Sequence, residues 1–188
     1  MVLRRMKYRI PHAELRRIAI SLFLSKIRYG LTVYGTAKLS QEDTLPNTTK
    51  DLQIVTNTMM RMIRPGRIIV KEWGAEKLCT QLQLLSINQM IIKFKLLEMW
   101  KIINVKGYPL QREVMATLNK NISESDIVTR SKAQNILRPI LGNKTQRNNL
   151  VGQGIKLWNS SSNEFKNAAT YHSAKRIANE IAKSYPIK

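Results

Sequence analysis

The chain has 188 residues, 43% of them hydrophobic, with 32 lysines and arginines against 12 aspartates and glutamates, for a formal net charge of +20. That length admits one domain, or one domain with an appendage, and that apolar content excludes wholesale disorder. The single cysteine, Cys79, excludes an intramolecular disulfide and a cysteine-built zinc cluster.

The positive charge is unevenly spread. Residues 1–38 carry nine basic and one acidic side chain, residues 39–130 thirteen and nine, and residues 131–188 ten and two. Two basic flanks around a more balanced middle point to nucleic acid (RNA, DNA or their hybrid) held from both ends of the chain. The competing expectation is a basic fold whose charge only repels itself. No apolar run followed by a small-residue cleavage site comes after the basic start, so no secretory leader is expected, and the nucleus or cytoplasm is the expected location. Glu14, and the lack of serine before Ser21, weigh against a mitochondrial presequence.

Taken in order, residues 1–10 interleave Arg4, Arg5, Lys7 and Arg9 with apolar side chains, and Pro11 suits the first turn of a helix. Leu15, Ile18, Ala19, Leu22, Phe23 and Ile27 follow a 3.6-residue period, leaving Arg16, Arg17, Lys26 and Arg28 on the flanks. Gly30 and Gly35 punctuate its far end, so the spacing predicts a bent or two-piece helix from 11 to about 37. Residues 40–50 read as a loop around Pro46. A second amphipathic helix is predicted at 51–64 with Leu52, Val55, Met59, Met62 and Ile63 inward, stopped by Pro65-Gly66. Residues 68–70 read as extended loop and 75–82 as a short helix.

Residues 86–104 organise the rest. Ser86 can cap the start, and no Pro or Gly interrupts the run until Gly107. At about 100° per residue it has two apolar sides. One carries Ile87, Met90, Ile91, Phe94, Leu97 and Ile102. The other carries Ile92, Leu96, Met99, Trp100 and Ile103, with Lys93 and Lys95 near the seams. Such a helix is sandwiched between neighbours. Lys93, Lys95, Glu98 and Lys101 exclude it as a membrane span.

Gly107-Tyr108-Pro109 stops that helix. A weaker helix at about 110–118, a loop at 119–126 and a poorly patterned stretch at 127–146 follow. Helix resumes at 149–158, breaks at 159–163, and closes at 172–184 on a stripe of Ala174, Ile177, Ala178 and Ile181. The expected fold is mainly α, an irregular helical bundle around the central helix near 86–104 with little or no sheet. Residues 1–126 would form a helical core domain with a basic N-terminal segment, and 127–188 a basic C-terminal helical appendage.

The inventory offers little for catalysis. Asp43, Asp51 and Asp126 are the only aspartates. They do not gather with glutamates as two-metal phosphoryl transfer requires. His12 and His172 are too isolated for a triad or a zinc site. Gly152-Gln153-Gly154 lacks the third glycine and preceding strand of a dinucleotide loop. No catalytic residue, metal site or cofactor is therefore expected. Binding remains. Cations interleave with aromatics at Lys7-Tyr8-Arg9 and Arg28-Tyr29, where phosphate contacts set affinity and aromatic faces stack on unpaired bases. The alternative makes Tyr8 and Tyr29 core-edge residues and the cations a solvated face, and for Tyr29, which closes an apolar helix, that reading is preferred. The candidate nucleic-acid-binding residues are Arg4, Arg5, Lys7, Arg9, Arg16, Arg17, Lys26, Arg28, Lys144, Arg147, Lys175 and Arg176.

Several fragments, in order, resemble one family. Arg4-Arg5 through Pro11, then Ser25-Lys26-Ile27-Arg28-Tyr29-Gly30 with Tyr34-Gly35, is similar to the segment after the polymerase core in reverse transcriptases of non-LTR (LINE-type) retrotransposons. Leu52-Gln53, Asn57 and Arg61-Met62-Ile63-Arg64 resemble that family's next helix. Leu84-Leu85-Ser86-Ile87-Asn88-Gln89 resembles its "L-L-S-I-x-Q" helix start. Arg130-Ser131, Trp158-Asn159 and Phe165-Lys166 are similar to its C-terminal series, although Ala174 to Arg176 stands where the final Phe-Lys helix would. The resemblance implies the helical thumb and the region beyond it, which contact template and primer. The fingers and the aspartate-bearing palm would lie upstream of Met1. It therefore implies a non-catalytic, sequence-tolerant nucleic-acid-binding fragment, with the remainder of a reverse transcriptase as a further partner. The alternatives are a basic structural or interaction subunit of a ribonucleoprotein, a truncated mobile-element product with no selected function, and a membrane-surface protein using helix 11–28.

Overall fold

The computed structural model describes residues 5, 9–40, 43–44, 46–64, 74–109, 111–112, 137 and 149–187. Every regular element among them is helical, so the chain is mainly α, as its periodicity predicts. The pieces expected at 68–70 and 119–126 lie outside the described residues. So do those at 110–118 and 127–146, apart from 111–112 and 137.

The first helix is in two pieces. Helix α1 (His12–Ala19) runs through a π-helical turn, Ile20–Leu24, into α2 (Ser25–Tyr34). Pro11 sits before the first turn, where its missing N–H costs nothing, and its carbonyl accepts from the Leu15 amide at 3.0 Å. Helix α2 stops sooner than expected, at Gly35. A Cβ there would press on the Leu31 carbonyl oxygen and stand 2.9 Å from Ile91 Cγ1.

Helix α3 (Asn47–Ile63) starts four residues ahead of its prediction, because the Pro46 carbonyl accepts from both Thr49 and Lys50 and so belongs to the first turn. The longer helix also turns differently. Thr49, Thr56, Met59, Met60 and Ile63 are buried, whereas Val55, expected inward, is 50% exposed. Threonine can take the inner stripe because the Thr56 hydroxyl donates to the Leu52 carbonyl at 2.7 Å, hiding its polarity inside the helix. Helix α4 (Ala75–Leu82) ends on Gln83, which adopts φ 52° in the left-handed region. The Leu84 amide then donates back to the Cys79 carbonyl at 2.9 Å, closing the helix as glycine usually allows.

Helix α5 (Ile87–Asn104) opens on a complete capping box. Ser86 Oγ accepts from the Gln89 amide at 3.2 Å, and Gln89 Oε1 accepts from the Ser86 amide at 3.1 Å. Helices α6 (Leu150–Ser160), α7 (Asn163–Lys166) and α8 (Tyr171–Ser184) follow, capped in turn by Asn149, Ser162 and Thr170.

The hydrophobic effect divides these helices between two cores. The larger surrounds α5, which is packed between α2, α6 and α8. Ile91, Leu96, Met99, Ile155, Trp158, Phe165 and Ala178 are all at most 1% exposed there. Helices from both sides of residue 127 thus meet in one interior. At the crossing of α6 on α5, a Cβ on Gly154 would lie 2.6 Å from Met99 Cγ, so the Gly-Gln-Gly stretch serves helix packing. The smaller core joins α1, α3 and α4 through Leu15, Ala19, Met60, Ile63, Leu78 and Cys79. Burial pushes the Cys79 thiol up to about 11.

Polar side chains tie the larger core together. The extended strip after Gly35 is held from two helices. Gln153 on α6 accepts from the Ala37 amide at 3.0 Å and donates to its carbonyl at 2.9 Å. Asn88 on α5 does the same for Lys38, at 2.8 and 3.2 Å. Lys95, expected at a seam, is instead fully buried. Its ammonium donates to Gln153 Oε1 at 2.8 Å and to the Asn149 carbonyl at 3.3 Å, and burial lowers it to about 7.

Candidate nucleic-acid interface

Three helices bring cations to one face of the larger core. Helix α8 presents Lys175, Asn179 and Lys183 at successive four-residue steps, which places them on one stripe. Facing it, Lys93 of α5 donates through Nζ to Asn179 Oδ1 at 2.8 Å. Partial burial holds the Lys93 ammonium below the ordinary lysine range, and the charges of Lys175, Arg28 and Lys183 add to that effect. Arg28 comes from α2, with its guanidinium carbon 5.0 Å from the centre of the Phe94 ring. Lys93 and the three cations whose charges reach it form a surface that a polyanion would relieve.

Of the sequence candidates, the structure therefore brings together Arg28 and Lys175. Lys26 is exposed on α2, and Arg17, Arg9 and Arg5 are exposed at the N-terminal end. Arg16 is half-buried and donates to the Leu82 carbonyl at 2.5 Å, tying α1 to the end of α4. Arg176 stands off the Lys175–Lys183 stripe and bonds Glu164 at 3.3 Å and Glu180 at 3.4 Å. Arg4, Lys7, Tyr8, Lys144, Arg147, Arg130-Ser131 and the Tyr29 side chain lie outside what is described. Sequence reasoning missed Lys93 and Lys183. Lys183 has a signal in the sequence, lying eight residues beyond Lys175 on a helix with a clear apolar stripe. Lys93 reads in the sequence as a seam residue because its partners come from other helices.

Beside the cationic face lies a groove of about 440 Å³. Arg28, Phe94, Glu98, Lys101, Tyr108 and Tyr171 are among the residues that line it. Lys101 bonds Glu98 at 3.3 Å and lies 5.7 Å from the Tyr108 ring centre and 5.5 Å from that of Tyr171. The Tyr108 hydroxyl donates to Glu98. Burial, and then that bond to a carboxylate, pushes the phenol up to about 12, so it stays a donor at neutral pH. Behind the groove, Trp100 meets Tyr171 with ring centres 6.2 Å apart.

His12 and Asp43 do local work. His12 bonds the Ile63 carbonyl through Nε2. Asp43 accepts from the Ser40 and Leu39 amides at 3.0 and 3.1 Å, and the Ser40 amide holds its carboxyl below the usual range. Among the described residues, no three His, Cys, Asp or Glu side chains gather as metal ligands would. No described helix is long and apolar enough to cross a membrane. No protein-family model, curated protein or solved structure matches the chain.

Proposed function

We propose that this chain is a non-catalytic, sequence-tolerant nucleic-acid-binding module of the kind that follows the polymerase core in non-LTR retrotransposon reverse transcriptases. The observation that carries the binding reading is the convergence of Arg28, Lys93, Lys175 and Lys183 from three helices onto one face. The roles of the motif residues support the family resemblance. Gln53 Oε1 accepts from the Ile87 amide at 2.8 Å, and Ser86 and Gln89 form the cap of α5. Asn159 accepts from the Leu137 amide at 2.8 Å and donates to its carbonyl at 2.7 Å. Trp158 meets Phe165 edge-on with ring centres 5.8 Å apart, and Lys166 donates to the Asn159 carbonyl at 3.4 Å. These fragments hold helices in register, which is what a scaffold for template and primer requires of them.

The test is fluorescence anisotropy of labelled single-stranded RNA and duplex DNA across a salt titration. Each neutralised phosphate adds about −0.9 to the slope of log K against log salt for duplex, and about −0.7 for single strands. Lys175→Ala with Lys183→Ala should flatten the duplex slope by about 1.8. An unchanged slope removes this face from the interface. The second reading, a protein-interaction subunit, is favoured by Ile54 and Val55, which stand 62% and 50% exposed on α3. A folded protein that binds neither nucleic acid would favour it.

A further inference from the structure

The groove between α2, α5 and the turn after α5 has features that a surface for phosphates alone does not need. It is walled by aromatic rings, carries a half-buried carboxylate, and adjoins the cationic face through Arg28, which belongs to both. Its volume of about 440 Å³ falls within the ~300–1,000 Å³ typical of small-ligand sites, far too small for a duplex. The Arg28 guanidinium carbon lies over the Phe94 ring, 5.0 Å from its centre, and an arginine held against a ring can also stack on a planar base. Tyr108 and Tyr171 add aromatic surface to the lining. Glu98 has one oxygen bonded to Tyr108 and the other to Lys101. A carboxylate has about four lone-pair sites, so acceptor capacity remains for the amino group of a base.

We propose that this groove takes one unpaired nucleotide from a strand whose phosphates lie along the Arg28, Lys93, Lys175 and Lys183 face. The inference rests on the nucleic-acid-binding reading and adds to it a preference for single-stranded over fully paired substrate. The groove recognises a base by stacking and by an amino donor reaching Glu98, chemistry that RNA and DNA share. Uracil and thymine lack that amino group, so strands of adenine or cytosine should bind more tightly than strands of uracil or thymine.

Anisotropy with 12-nucleotide single strands of RNA and of DNA, against a blunt duplex of equal length, tests this directly. Tyr171→Leu and, separately, Tyr108→Leu should weaken single-strand binding by roughly 5–100-fold with the salt slope unchanged, the effect of losing one base–aromatic stack. Duplex binding should not change, and a thermal melt establishes that each variant is folded. In the wild-type protein, 2-aminopurine placed mid-strand should lose fluorescence on binding, and should not respond when paired in the duplex. A loss seen for RNA alone would assign the site to RNA, and equal losses to an unpaired base of either sugar. If both tyrosine variants leave single-strand affinity unchanged, or lower duplex affinity equally, the groove is not a base site while the cationic face stands. If wild-type protein binds neither single strand nor duplex, both the groove and the nucleic-acid reading fall.

Discussion

Lys95 offers the sharpest test of the core. Its side chain is fully buried between α5 and α6, and burial lowers its pKa from 10.5 to about 7. Below pH 7 both folded and unfolded chains carry the charge, and the folded state bears the whole desolvation cost. Between pH 7 and 10.5 the folded chain has lost the proton and the unfolded chain keeps it, so ΔG of unfolding rises with pH. The slope is about 1.4 kcal/mol per pH unit, and over the whole window the rise is at most about 5 kcal/mol. Lys95→Met keeps the unbranched shape and removes the charge. Among the described residues, two acceptors that it abandons each retain a second donor: Gln153 Oε1 keeps the Ala37 amide at 3.0 Å, and the Asn149 carbonyl keeps the Gln153 amide at 3.2 Å. Neither of these two is orphaned by the change. After subtracting roughly 1–3 kcal/mol for lost charge-assisted hydrogen bonds, the variant should be more stable than wild type at pH 6–7 by about 2 kcal/mol. That advantage should shrink as pH rises toward 9. Urea unfolding of both proteins at pH 6, 7, 8 and 9 measures it, and taking the difference cancels the titration of the other lysines. A difference that is constant with pH would mean Lys95 titrates normally and is not confined as described.

Two further substitutions probe local geometry. Gln83 holds φ 52° at an exposed position, so Gln83→Gly should raise stability by up to about 1 kcal/mol and Gln83→Val should lower it; melts showing the reverse order would refute the left-handed stop of α4. Gly154→Ala puts a methyl 2.6 Å from Met99 Cγ and should cost about 1–3 kcal/mol in the wild-type background, and much less when introduced into a Met99→Ala background. An equal cost in the two backgrounds would argue against that close crossing.

Much of the helical layout was legible because its signals are local. The start of α5 was readable from Ser86, since a cap needs only the residues of its own first turn. The ends of the first helix are legible in Pro11 and Gly35, whereas its π-helical turn at Ile20–Leu24 carries no Pro or Gly to announce it. Readings failed where a residue's environment comes from elsewhere in the chain. Hydrophobicity alone points Val55 inward, yet Thr56 takes the interior because a hydroxyl bonded within its own helix behaves as apolar. The pattern puts Lys95 at a seam because nothing nearby announces Gln153, 58 residues away, as its partner. For the same reason the cationic face was half seen. Arg28 and Lys175 stood out as charges, but their grouping around Lys93 follows from the packing of α2, α5 and α8.

The strip clamped by Asn88 and Gln153 has a kinetic consequence. Its backbone bonds at Ala37 and Lys38 are made to side chains 116 and 50 positions away, so each waits until the strip meets the helix that carries its partner, α6 for Ala37 and α5 for Lys38. The Ala37 and Lys38 amides are thus natural reporters on assembly. During refolding, Lys38 should gain protection from hydrogen exchange when the strip docks on α5. Ala37 should gain it only when α6 arrives, giving the order of assembly from two neighbouring amides.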